Sequence, residues 1–185
     1  MLYSLYMKAK RSSFTLIELL LVMALLAVLA LLLIGNFSST MKRGRDQQRK
    51  NDLNQIQKAL ETYYEDNQSY PTFDIFSGPS GKFCKTISCS ANETVYMVKT
   101  PKDPNSSYIY RYLYINPVSG ASSRYYLFSY IENTLDQGSG VSINGYPIIS
   151  GFTGNQTCDT LGTVNSCKYY VGSSDAPPLI PNPTP

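Results

Sequence analysis

The chain has 185 residues, with 16 basic and 13 acidic side chains and a formal charge of +3. That is room for one ordinary domain and an extra element, and too mild a charge to mark a nucleic-acid binder. Histidine is absent, which excludes Ser-His-Asp and Cys-His catalysis and His-ligated zinc, since each needs an imidazole near neutral pH.

The first predicted element is a membrane helix. Residues 14–34 read FTLIELLLVMALLAVLALLLI, apolar apart from Glu18, with no proline or glycine before Gly35. At ~1.5 Å per residue a helix of this length covers about 30 Å, the thickness of a bilayer core. The pattern therefore predicts a transmembrane helix over 14–35. A secretory signal would have a shorter apolar stretch and an A-x-A site. Here Ala24, Ala27 and Ala30 fall three apart. Lys8, Lys10 and Arg11 precede the span; Lys42, Arg43, Arg45, Arg49 and Lys50 follow it. Counted alone, these flanks place the C-terminal side in the cytoplasm. The cysteines described below argue for the opposite side and weigh more, because a basic helix leaving a span has a structural explanation.

A carboxylate inside an apolar span costs about 3 kcal/mol on insertion scales, so Glu18 is functional unless it stays wet at the membrane surface. Its setting is Lys8-Ala9-Lys10-Arg11-Ser12-Ser13-Phe14-Thr15-Leu16-Ile17-Glu18. This resembles the signature of type IV prepilins and type II secretion pseudopilins: a short basic leader, a small residue, then Phe-Thr-Leu-Ile-Glu opening a long apolar helix. The resemblance implies that residues 1–13 are a leader. A prepilin peptidase would cut between Ser13 and Phe14 and methylate the new Phe14 amine. Ser13 stands where the family usually has glycine, and Met7 offers a second start. Glu18 lies one helical turn from Phe14 on the same face. In a stack of subunits it would pair with a neighbour's Phe14 amine, so that neither charge is buried alone, and would set the axial register of assembly.

The expected fold is α+β and pilin-like, with a small antiparallel sheet packed on the outer half of a long N-terminal helix. The implied partners are the peptidase, other pilin or pseudopilin subunits in a homo-oligomeric filament, the assembly platform with its secretion or pilus ATPase, and membrane lipid. The implied location is the cytoplasmic membrane, single-pass, with the C-terminal domain outside the cytoplasm and a periplasmic or surface filament once assembled.

Residues 36–70 are predicted to extend the helix. Gly35-Asn36 and Ser38 to Thr40 are poor helix formers, and a local loosening is expected there. Leu53, Ile56, Leu60 and Tyr63 then recur at helical spacing and form an apolar stripe suited to packing on a sheet. Asn67-Gln68-Ser69-Tyr70-Pro71 ends the helix. The basic run 42–50 reads as a solvated helix face, with anionic lipid headgroups as the competing partner. It lacks interleaved aromatics, so no specific nucleic acid is expected.

Residues 71–172 are predicted to form a β-rich extracytoplasmic domain, loop-like over 71–107. Tyr108, Tyr110, Tyr112 and Tyr114 alternate with other residues, and RYYLFSYIE over 124–132 is a second strand run, with a turn at 116–120 between them. Residues 141–149 and 168–171 offer further strands. Aromatic cross-strand pairing accounts for the tyrosines, with a carbohydrate- or surface-binding platform as the alternative. Cys84, Cys89, Cys158 and Cys167 allow three pairings, of which the local pairs 84–89 and 158–167 are preferred. Zinc competes, but only the first spacing suits it. Disulfides place the domain in an oxidising compartment. Residues 173–185 contain Pro177, Pro178, Pro181, Pro183 and Pro185 and read as a flexible tail.

No cofactor is expected. Some secretion-type relatives bind calcium after the last strand, and Glu132 and Asp136 are the candidate ligands here. Hard cations take six or more oxygens, so an Asp- and Gly-rich turn is the preferred reading. An enzyme is not expected, since Asp74, Glu93, Asp103, Glu132, Asp136, Asp159 and Asp175 are scattered without a motif. The alternative function is a membrane-anchored extracellular binding or adhesion protein outside any filament. Lys8, Lys10 and Arg11 all lie in the leader, so its removal leaves equal numbers of basic and acidic side chains.

Overall fold

The computed structural model describes residues 14–78, 81–115, 123–142, 144–146, 157–163 and 166–180, apart from the side chains of 32–36. The leader with Ser13, the turn at 116–120, residues 147–149 and residues 181–185 lie outside the described residues.

Helix α1 spans Leu16–Asn67, 52 residues. The expected loosening at 35–40 does not occur; the helix runs through it. Glycine costs only about 1 kcal/mol and serine less in a helix interior, and propagation from formed turns on both sides absorbs such amounts. The C-terminus is closed by Gln68, which adopts a left-handed φ of 55° and donates its backbone N–H to Tyr64 O at 2.8 Å. That is the αL cap that glycine usually supplies.

The chain divides into two compact units, Met1–Thr40 and Met41–Pro185. In the first, every described side chain from Phe14 to Leu31 is exposed. Among the described residues no helix is long and apolar enough to cross a membrane. The described side chains of the apolar run stop at Leu31, short of the full stretch that the sequence offers.

The second unit holds two antiparallel sheets. Strand β1 (Phe83–Cys84) pairs with β2 (Val95–Met97), inside the region expected to be loop. Strands β3 (Arg111–Ile115), β4 (Arg124–Ser129) and β5 (Tyr169–Gly172) form the larger sheet in the order β3-β4-β5. Tyr112 faces Leu127 and Leu113 faces Tyr126; Leu127 in turn faces Val171. The first tyrosine strand begins later than expected, at Arg111, and Tyr108 makes an isolated bridge to Asp159. Val141 contributes a single bridge to Tyr169, where a longer strand was expected.

The sheet is buried on both faces. Tyr125 and Leu127 join Leu53, Ile56, Leu60 and Tyr63 in one cluster. Tyr126 and Phe128 join Leu113, Tyr146, Cys158 and Cys167 in another. This explains why β4 reads as a continuous aromatic and apolar run and shows no alternation. The flexible-tail expectation fails for residues 173–179. Ser173 is buried, Ala176 and Leu179 pack against the second cluster, Tyr126 Oη donates to Pro177 O, and Leu179 N donates to Tyr170 Oη at 3.1 Å. Proline has no N–H to leave unpaired, so a proline-rich segment covers aromatic rings at little polar cost.

Leu60 is fully buried at the centre of the first cluster. Leu60→Ala is expected to destabilise the second unit by about 2–5 kcal/mol, read as a lowered midpoint in urea unfolding followed by tyrosine fluorescence.

Candidate functional site

Two places in the chain carry organised chemistry. The first is the start of α1. Thr15 N and Thr15 Oγ1 both donate to Glu18 Oε2, at 2.9 and 2.8 Å, and Glu18 N donates back to Thr15 Oγ1 at 3.3 Å. This is a reciprocal capping box: a hydroxyl at the helix N-cap and a carboxylate three residues on satisfy each other's backbone N–H. Its signal, Thr-x-x-Glu, stands in the sequence at Thr15-Leu16-Ile17-Glu18. Phe14, one residue before the cap, is 81% exposed. The cap therefore orients Glu18 back toward the end of the helix where Phe14 stands, and leaves the first turn open.

The second place lies in the basic run 42–50. Arg49 is fully buried. Its Nε and Nη2 grip Asp103 in a bidentate fork at 2.7 and 2.9 Å, Nη1 donates to Asp46 at 2.6 Å, and Nη2 also reaches Glu132 at 2.7 Å. Arg45 Nε donates to the same Glu132 oxygen at 2.8 Å. Asp46 turns its carboxylate to the loop after β4, accepting from the backbone N–H of Glu132 and Asn133 at 2.9 and 2.8 Å. Lys50 Nζ donates to Asp136 at 2.7 Å. The solvated-face expectation thus fails for Arg45, Arg49 and Lys50, and holds for the exposed Lys42 and Arg43.

The calcium candidates Glu132 and Asp136 are each engaged by cationic side chains of α1. The hydrogen bonding from Arg45, followed by that from Arg49, holds the Glu132 carboxyl down at about 2, against an ordinary 4.5. Burial pushes Asp136 up, but the bond from Lys50, the Gly138 N–H and the Lys50 charge together outweigh it and leave the carboxyl below its usual range. Among the described residues no three His, Cys, Asp or Glu side chains converge as a metal site. The glycines expected in a turn have a packing reason. A Cβ on Gly138 would stand 3.2 Å from Lys50 Nζ, and one on Gly140, at φ +75°, would meet Tyr170 O.

The four cysteines form the two local disulfides, Cys84–Cys89 and Cys158–Cys167. The first ties β1 to its following loop. The second sits in the outer cluster, where Cys158 O accepts from Ile109 N and Cys167 O from Tyr146 N, both at 2.9 Å. The tyrosines are mostly core, as the preferred structural reading expects, rather than the alternative binding platform. Tyr110, Tyr112, Tyr125 and Tyr126 are buried, and their hydroxyls bond to Asp52, Pro71 O, Glu61 and Pro177 O.

Residues 8–34 match the prokaryotic N-terminal methylation motif, and residues 36–144 match the family described as type II secretion system (T2SS), protein G. The chain is 28% identical over 110 residues to the type II secretion system core protein G of Escherichia coli, covering 58% of this chain and 74% of that protein. It is 35% identical over 106 residues to the type IV wide pilus major component PilA4 of Thermus thermophilus, covering 48% of this chain and 80% of that one. A core protein G of Vibrio cholerae is 27% identical over 113 residues, covering 58% and 73%. No solved structure matches the chain.

Removing Arg49 takes a buried cation from Asp46, Asp103 and Glu132. Arg49→Met is expected to cost about 3–5 kcal/mol, the range for breaking a buried ion pair from one side. Glu132 also gives the clamp a pH signature. Its folded pKa is lowered, so its contribution is complete above the ordinary carboxylate value of 4.5 and is lost as pH falls toward about 2. Urea midpoints should drop across that window, and the drop should be shallower in Glu132→Gln.

Proposed function

The chain belongs to the type II secretion system protein G family and is a structural subunit of a secretion pseudopilus or a type IV pilus, and we propose that it is a major, secretion-type subunit made as a prepilin and polymerised through the first half of α1. The family is structural, and no catalytic role is proposed. One observation carries the reading: every described side chain from Phe14 to Leu31 is exposed, and the run holds a single charge, Glu18, in its first turn. An apolar surface of that extent requires lipid before assembly and neighbouring subunits after it.

Processing between Ser13 and Phe14 would free the Phe14 amine beside the helix N-terminus. A positive charge there is unfavourable for the helix dipole. A carboxylate from another subunit relieves it. Glu18, already aimed toward the N-terminus by the Thr15 cap, would accept the amine of a neighbour's Phe14. The protein is then a single-pass membrane prepilin with its disulfide-bearing unit outside the cytoplasm. The assembly platform and its ATPase would lift it from the bilayer. The family match over 36–144 and the similarity to core protein G support the secretion-type assignment over a pilus.

No resident metal is proposed. Arg45, Arg49 and Lys50 already supply positive charge to Glu132 and Asp136, so a chelator should leave the thermal midpoint of the extracted protein unchanged.

N-terminal mass spectrometry of membrane-extracted protein should find an N-methylated Phe14. An intact leader in cells that contain the peptidase would count against the proposal. Glu18→Ala should leave membrane insertion intact and abolish incorporation into filaments, read by shearing and fractionation. Normal filament yield from that variant would refute the pairing role.

A further inference from the structure

Among the described residues one tyrosine pair differs in geometry from the rest. The rings of Tyr108 and Tyr130 lie 3.8 Å apart at their centroids and only 7° from parallel. Tyr64–Tyr70 stands at 4.7 Å and 31°, Tyr63–Tyr96 at 5.0 Å and 57°, and Tyr70–Tyr125 at 4.6 Å and 73°. Aromatic pairs ordinarily prefer offset or edge-on contacts, because two π faces repel. Here a cation offsets that repulsion on each side. Arg49 Cζ is 5.4 Å from the Tyr108 centroid, and Lys168 Nζ is 4.9 Å from that of Tyr130. The inner faces are taken by the partner ring, so the cations hold the outer ones.

This arrangement is the one in which two tyrosyl radicals couple. A phenol that loses an electron and a proton carries spin on its oxygen and on Cε1 and Cε2, in lobes perpendicular to the ring. Lobes of parallel rings point at each other; those of edge-on rings do not. Rings held in contact also turn an encounter into a step within one molecule. Both side chains are half-buried, so their edges reach solvent and an oxidant. With Arg49 and Lys168 over the outer faces, each radical finds its open face toward the other tyrosine and not toward another chain. Tyr108 precedes β3 and Tyr130 follows β4, so neither ring is wedged inside a strand ladder when the product turns from face-to-face to side by side.

We propose that Tyr108 and Tyr130 form an oxidative cross-linking site, joined through their Cε carbons by a one-electron oxidant of the peroxidase–peroxide class. Each phenol loses one electron and one proton. The two radicals form a single Cε–Cε bond. The hydrogen left on each of those carbons departs as a proton and returns to the oxygen as the ring regains aromaticity. The peroxide takes up both electrons and both protons and leaves as water. Such an oxidant belongs to the same oxidising surroundings as the two disulfides. Tyr108 follows Asp103 in the loop that reaches Arg49, and Tyr130 leads into Glu132, which reaches it from β4. The link therefore ties together the two segments that close on Arg49, and does so without any charge.

The full chain, extracted in detergent with its disulfides intact, is treated with a haem peroxidase and hydrogen peroxide and digested for mass spectrometry. The expected product is a linked peptide lighter than its two halves by the lost pair of hydrogens, with fragment ions placing the link between Tyr108 and Tyr130. Tyr108→Phe and Tyr130→Phe keep both rings and remove one phenol, so each should abolish that peptide. Tyr64→Phe should leave it intact. Protein unfolded in urea has the same tyrosines without the stack and should lose the link as well. A link that persists in Tyr130→Phe or in urea would overturn the site. So would dityrosine that forms chiefly at Tyr64–Tyr70 or between chains, or folded protein that yields none.

Discussion

Arg49 is the side chain on which the second unit depends. It is fully buried, and burying a guanidinium is costly unless its donors and its charge are matched. Here Asp46, Asp103 and Glu132 match both. The partners come from one helix turn and from two segments far along the chain. The ion cluster is therefore a register device: α1 must present Arg49 where the loop at Asp103 and the loop after β4 meet. The apolar stripe Leu53, Ile56 and Leu60 can slide along a sheet at modest cost. A buried fork onto a carboxylate cannot, because a misplaced oxygen leaves an unpaired charge in a dry site.

The two units solve their burial problems by different means. The unit Met41–Pro185 is closed, with its sheet covered on both faces and its loops tied by two disulfides and the ion cluster. In the unit Met1–Thr40 every described side chain of the apolar run, Phe14 to Leu31, is exposed. A chain with one self-sufficient half and one dependent half suits a subunit that must change surroundings, from lipid to neighbouring copies, without refolding its outer part. The Thr15–Glu18 box fits that need, since it caps the helix locally and requires no partner.

Much of this was legible in the residues. The prepilin motif, the helical stripe and the local disulfides follow from short-range pattern, which a sequence displays directly. Arg49 was not, because its partners Asp103 and Glu132 stand 54 and 83 positions away. A charge run reveals its spacing along a helix and says nothing of what folds onto it. The β1–β2 pair escaped for a related reason: strands of 2 and 3 residues are too short to show a period. The tail misled because prolines signal irregular backbone, and irregular backbone can still pack. What holds it is Tyr126 and Tyr170, whose hydroxyls reach out to its backbone.

Those hydroxyls explain why the chain uses tyrosine so heavily and can do without histidine. A tyrosine buries a large ring and still delivers a donor to the edge of the core. Tyr110 delivers it to Asp52, and Tyr70 and Tyr125 both deliver it to Glu61. Each of these acceptors is a carboxylate on α1, so Tyr125 on β4, with Tyr70 and Tyr110 outside the strands, bonds the second unit to the polar flank of the same helix whose apolar stripe the sheet covers. Bonds to charged acceptors are worth about 1.5–3 kcal/mol each, against roughly half that for neutral pairs. Burial drives Tyr110 and Tyr125 well above the ordinary phenol range, so the donor proton stays in place. Histidine in the same positions would gain or lose its charge between pH 5 and 8. The tyrosine donors carry no such charge change across that range, so the bonds that tie Tyr110 and Tyr125 to α1 persist through it.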